Sequence, residues 1–233
     1  MDAIRKAARV AGALYLLVVL TGPFVLLYVP GKLFVPGNAA ATASNMLAHQ
    51  PLMRAHIIVG LLSELLFIFL VLALYQLFKG ISQPLAGAMV VLILIDAPIA
   101  FLSVANEVVA FAFVRNAGVL SAFDKPQRDA LAMFLLDLDN QGLLVSVLFW
   151  GLWLLPLGVL VYRSGFLPRF LGGWLLINGL AYVVISFIGV LSPEYQKMAT
   201  TIATPILFGE VALMLWLLIM GARPQQPLAV ATA

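Results

Sequence analysis

Six long apolar stretches leave this chain little architectural choice. They run from about Val10 to Tyr28, Leu52 to Phe78, Leu85 to Val114, Gly142 to Tyr162, Leu167 to Leu191 and Ala199 to Met220. An apolar stretch of ~20 residues crosses the hydrocarbon core of a bilayer as a helix. Lipid offers no partners to backbone N–H and C=O groups, so a spanning segment must satisfy them itself, as a helix or within a closed barrel. A barrel strand would alternate in polarity over ~10 residues, and these stretches do not alternate. Charged residues make up 10% of the chain, against about 25% in soluble domains. The expected fold is all-α, a polytopic integral membrane bundle of six transmembrane helices. Residues 1–222 form one domain in this reading, and 223–233, with Pro224 and Pro227, form a disordered tail.

The N-terminus begins with a basic segment (Arg5, Lys6, Arg9), as a signal peptide would. Its apolar run is longer than the 7–15 residues of a signal h-region and lacks a small-x-small cleavage site. It reads as an uncleaved first helix. Six spans put both termini on one side, here called the near side. The near side carries Arg5, Lys6, Arg9, Lys79, Arg163, Arg169 and Arg223. The far side carries Lys32, Arg54, Arg115, Lys125, Arg128 and Lys197. The basic flank of the first helix orients the chain with both termini in the cytoplasm of a cell membrane. The net charge of +3 then reflects topology, and no nucleic-acid partner is expected. The chain has no cysteine, which excludes disulfides, thiolate nucleophiles and cysteine-ligated metals.

Two far-side loops carry helix signals, read as short interfacial helices. Asn38 can cap a helix over Ala39–His49 that stops at Pro51. Asp124 and Gln127 have capping-box spacing, with Pro126 in the first turn. A helix begun there and continued to Tyr162 would be ~57 Å long, well beyond a bilayer. It must project from the membrane or bend, with Gly142 as a candidate hinge.

Six of the ten acidic residues lie inside or beside the apolar stretches: Glu64, Asp96, Glu107, Asp137, Asp139 and Glu210. A carboxylate at the bilayer centre costs roughly 2.5–3.5 kcal/mol on insertion scales, and such groups face the bundle interior or a wet cavity. Counting from the far-side ends of the spans puts Glu107 ~12 Å, Glu64 ~15 Å and Glu210 ~18 Å deep. At about 100° per residue, Asp96, Ser103 and Glu107 share one stripe. Asp137, Asn140 and Gln141 share an arc of roughly 100° on the fourth helix, with Asp139 pointing the other way. Arg54 and His56 flank the Glu64 face and can supply a counter-ion and a group titrating near neutral pH. The expected site is a polar pocket opening to the far side, lined by helices two, three, four and six. Its candidate residues are Arg54, His56, Glu64, Asp96, Ser103, Glu107, Asp137, Asn140, Gln141 and Glu210. The plainer alternative is that these groups only join helices by hydrogen bonds. Trp150 and Trp153 read as core packing, and Pro98 and Pro156 as kinks.

His49 and His56 are the two histidines. With Glu64 they match no compact metal-ligand spacing, so no metal and no cofactor is expected. No glycine-rich phosphate loop and no Ser-His-Asp set is suggested. Three function classes stay open. The first is binding or transport of a small ligand, ion or proton through the pocket, which suits buried carboxyl groups. The second is a membrane-embedded enzyme with a carboxylate pair such as Glu107 and Asp137. The third is a non-catalytic accessory subunit. The reading favours the first, with the lipid bilayer as the assured partner and the oligomeric state open.

Four segments carry a resemblance: ARVAGALYL at Ala8–Leu16, TGPFVLLYVPGKLFVP at Thr21–Pro36, FIFLVLALYQLF at Phe67–Phe78 and NQGLLVSVLFWGLWLLPLGVLVYRSGFLPRFL at Asn140–Leu171. In these the chain resembles a bacterial multipass family known as domain of unknown function 4386. The resemblance covers most of the chain and implies an integral membrane protein. It implies no established activity, and no residue role is carried over from it.

Overall fold

The computed structural model describes residues 2–116 and 122–222; the expected C-terminal tail lies outside them. All regular structure among the described residues is helical. Six helices are long and apolar enough to cross a membrane: Ile4–Leu33, Gln50–Phe78, Gln83–Val114, Lys125–Arg163, Arg169–Leu191 and Pro193–Met220. The chain is thus a polytopic helical bundle. Its outer surface is apolar, as a lipid-facing surface must be: Leu27, Leu102, Ile202 and Leu191 are among the most exposed side chains.

The first span is α1 (Asp2–Pro23), a π-helical turn at Phe24–Tyr28 and α2 (Val29–Leu33). Pro23 and Pro30 bracket the wide turn, and neither supplies a backbone N–H. The α-helical ladder is interrupted at both, and the i→i+5 turn fits between them. α3 (Ala39–Ala48) follows, with the Asn38 side chain accepting the Ala41 N–H at 2.9 Å. The chain turns at His49, and Pro51 falls in the first turn of α4 (Gln50–Phe78). Its missing N–H is harmless there. α5 is Gln83–Val114.

α6 (Lys125–Arg163) starts at the expected capping box, Asp124 with Gln127. It runs through Gly142 as unbroken helix, so no break is formed at that candidate hinge. Gly142 serves close approach instead: a Cβ on it would come within 2.9 Å of the Ser103 hydroxyl on α5. A tight turn with Gly165 at φ +69° leads into α7 (Arg169–Leu191). The Ser164 hydroxyl caps this turn, bonding to the Val161 carbonyl at 2.8 Å and the Leu167 N–H at 3.1 Å.

The sixth span is broken. α8 (Pro193–Leu207) ends at a turn on Phe208, and α9 (Gly209–Leu215) continues into a π-helical end, Trp216–Met220. Two side chains one helical turn apart on α7 satisfy the backbone at the break. Trp174 Nε1 donates to the Ile206 carbonyl at 2.8 Å and Asn178 Nδ2 to the Leu207 carbonyl at 3.2 Å. Gly209 lets the Trp174 ring lie flush against the break, since a Cβ there would meet the ring at 2.9 Å.

Helix packing follows chain order. The spans pack first on second, second on third and so on, and α9 with the end of the sixth span closes back on α1. Six helices in a closed ring, at the usual 8–10 Å between axes, leave a central space about as wide as one helix. Side chains fill its near end, where Tyr15, Phe78, Met89, Trp153, Leu157 and Leu213 belong to one buried cluster. A second cluster lies toward the far end, with Val29, Leu33, Met46, Met53, Phe111 and Leu136, and α3 packs across α4, α5 and α6 there.

Candidate functional site

Between the two clusters lies a cavity of about 280 Å³, close to the lower end of the ~300–1,000 Å³ usual for small-molecule sites. All six spans line it, through residues such as Tyr15, Glu64, Ser103, Asp139, Tyr182 and Glu210. Its carboxylates are Glu64, Glu107, Asp139 and Glu210, and no Lys or Arg lines it among the described residues.

Residue counts from the near-side helix ends, at ~1.5 Å each, sort the polar groups by height. Glu107, His56, Asp139 and Asn140 stand ~35 Å up. Glu64, Asp96, Ser146 and Trp150 cluster at ~19–25 Å, and Tyr15, Trp153 and Glu210 at ~15–20 Å. The single layer expected from far-side counting is therefore a column. Different starting points for each span had compressed the heights together.

At the top of the column His56 Nε2 and Glu107 Oε1 are 2.7 Å apart, with both residues buried. The edge of the Phe34 and His56 rings meet at 6.2 Å between centroids. Asp139 neighbours both members of the pair and lies within hydrogen-bonding reach of Ser103. In the middle, Glu64 lines the cavity and Asp96 is buried beside it, against Ser146 and Trp150 of α6. One Asp96 oxygen has no partner within the protein. Asp96 itself is not in the lining. The Thr21 and Ser63 hydroxyls bond at 2.9 Å and tie α1 to α4 alongside.

At the bottom, Tyr15 Oη donates to Glu210 Oε2 at 2.6 Å, and the Tyr182 hydroxyl also faces this carboxylate. Glu210 stands one residue beyond Gly209, just past the break in the sixth span. The rings of Phe67 and Trp153 meet edge-on at 5.2 Å, Tyr15 tilts against Trp153 at 6.3 Å, and Trp150 meets Tyr182 edge-on at 6.2 Å.

The structure brings His56, Glu64, Ser103, Glu107, Asn140 and Glu210 together in one lining and buries Asp96 behind it. Arg54, Asp137 and Gln141 are exposed and stand outside the lining. Asp137 and Gln141 lie ~33–39 Å above the near-side end of α6, past a ~30 Å hydrocarbon slab. At that height a polar side chain can face outward without penalty, so the demand that it face inward does not apply. Asp139, assigned to the outer side by sequence, is the inward carboxylate. The pair proposed for an enzyme, Glu107 with Asp137, is not assembled; Glu107 is paired with His56.

Sequence reasoning also passed over Tyr15, Tyr182, Trp150 and Trp153 as lining. The α6 lining residues Leu136, Asp139, Leu143, Ser146, Trp150 and Trp153 recur every three or four positions, with Asn140 beside Asp139. Followed upward from the two tryptophans, that stripe selects Asp139 rather than Asp137. Among the described residues no group of three or more His, Cys, Asp and Glu is arranged to hold a metal ion.

An uncharacterized protein of Archaeoglobus fulgidus is 32% identical over 79 residues, which is 34% of this chain and 46% of that protein. The chain therefore aligns with less than half the length of that relative. No solved structure matches the chain. The sequence profile described as Domain of unknown function (DUF4386) matches residues 10–221, nearly the whole bundle. The chain belongs to that family.

Proposed function

We propose that the protein binds a small solute or exchanges protons at intramembrane carboxylates, in a cavity entered from the side opposite the termini. The carrying observation is that four helices place carboxylates in one cavity with no Lys or Arg in its wall among the described residues, and with its one lining histidine, His56, paired to Glu107. Groups that served only to join helices would leave no space between them; Glu107 and Glu210 hold partners on neighbouring helices and still stand in a cavity wall. The break in the sixth span supports the same reading. Interrupted helices at membrane depth are tolerated where the loose backbone is buried or lines a cavity, and transporters place substrate and ion sites at them. In this reading both termini face the cytoplasm, following the basic N-terminal flank.

The chain's lack of cysteine gives a direct test. Single cysteines at Ser63, Ser103 and Asn140, all in the lining, should react with a water-soluble, membrane-impermeant thiol reagent added from one side of sealed vesicles. Leu94→Cys and Leu102→Cys, on the exposed apolar surface, should not. Equal reactivity of Ser103→Cys and Leu102→Cys would sink the proposal.

A further inference from the structure

We propose that the near end of the cavity binds a compact organic ammonium ion carrying one acceptor oxygen, its cation between Glu64 and Glu210 and against the rings of Tyr15, Trp153 and Tyr182. The inference rests on the preceding reading that the cavity is open to solutes, and it names their class.

Three independent observations carry it. The first is charge. The wall holds carboxylates and no Lys or Arg among the described residues, and its one lining histidine, His56, is paired to Glu107 at the other end, so the near end's complement is positive. The second is the wall material. Aromatic faces attract ammonium groups through the ring quadrupole, most strongly when both are removed from water. Tyr15 and Trp153 are almost wholly buried, and both line the cavity. A metal ion would need several oxygen or nitrogen ligands around one point, and the described carboxylates and histidines offer no such group. They are spread along the cavity, and only Glu64 and Glu210 lie toward its aromatic near end, which suits a single compact organic cation there. The third is an orphan donor. Trp153 is fully buried, yet its indole N–H has no partner within the protein. A buried indole N–H usually finds one. An oxygen on the ligand would supply it, and water could occupy the place otherwise. The cavity volume of about 280 Å³ keeps the ligand small.

The test uses the full chain in lipid nanodiscs and three probes of related shape, titrated by calorimetry. Choline carries both the cation and an oxygen. Tetramethylammonium keeps the cation alone. The alcohol 3,3-dimethylbutan-1-ol keeps choline's shape and oxygen without the charge. Choline should bind saturably, tetramethylammonium several-fold more weakly, and the neutral alcohol at least tenfold more weakly. Glu210→Gln and Glu64→Gln should each weaken choline at least tenfold. Trp153→Phe keeps a ring and removes the N–H, so it should erase the preference for choline over tetramethylammonium. Choline should also protect Ser63→Cys from thiol modification.

Modification of Ser63→Cys and Ser103→Cys without saturable binding of either cation would overturn the ammonium inference and leave the solute-cavity reading standing. Neutral alcohol binding as tightly as choline would do the same. Failure of the cysteines to react would remove both. If Glu210→Gln does not fold, the probe comparison on the unaltered protein still decides the matter.

Discussion

Tyr15 and Glu210 lie 195 positions apart in sequence and 2.6 Å apart in space, with the Tyr182 hydroxyl beside them. In membrane bundles an interhelical hydrogen bond contributes about 0.6–2 kcal/mol. Tyr15→Phe should lower stability by that amount, measured by thermal unfolding in detergent. In a double-mutant cycle with Glu210→Gln the two losses should fall short of additivity. Full additivity would mean that the hydroxyl and the carboxyl act separately. At this scale the sequence showed which residues were costly to bury but not which met. Glu210 was legible because a carboxylate in an apolar run demands compensation. Tyr15 was not, because a tyrosine near a helix end is at home at an interface, in a core or in a cavity wall. Asp137 and Asp139 show the limit of angular counting. Two carboxylates two positions apart point to nearly opposite faces, and the lining stripe that continues up α6 from Trp153 and Trp150 decides which one points inward.

α6 and α7 meet through glycines seven residues apart on each helix, Gly151 and Gly158 against Gly179 and Gly172. A Cβ on Gly151 would come within 2.6 Å of the Gly179 carbonyl oxygen, and one on Gly172 within 2.6 Å of the Tyr162 backbone. Lipid tails are as apolar as leucine, so helices in a membrane gain most by such close backbone approach. Gly151→Ala should cost about 1–3 kcal/mol by overpacking. Gly173→Ala lies on the same α7 with nothing within 4 Å of the added methyl. It should be neutral or stabilising by up to ~1 kcal/mol, through helix propensity. Unfolding midpoints of the two variants make the comparison; an undamaged Gly151→Ala would show that the helices can separate freely. Among the elements, the caps at Asn38 and Asp124 were legible because they are local chemistry. The break at Phe208 was not. Pro205 and Gly209 are visible in the sequence, but the groups that satisfy the freed carbonyls, Trp174 and Asn178, come from another helix.

In the molecule as a whole the ring has one seam made by distant parts of the chain, between the first span and the last. Gly12 lies on it, and a Cβ there would meet the Leu217–Leu218 backbone at 2.6–2.9 Å. Gly12→Val should lower the unfolding midpoint by several degrees, while Gly87→Ala, with nothing within 4 Å, should leave it in place. Matching midpoints for the two would show that the seam does not hold the bundle together. Every other main interface between spans joins consecutive ones, while the loop helix α3 reaches across to α6. A ribosome delivers helices in that same order, and domains form from the N-terminal end during synthesis. Each new span thus finds its partner already in the membrane, until the last one reaches back to the first. Assembly is sequential up to that step, and the central cavity gains its final wall, carrying Glu210, only when the sixth span has entered the membrane.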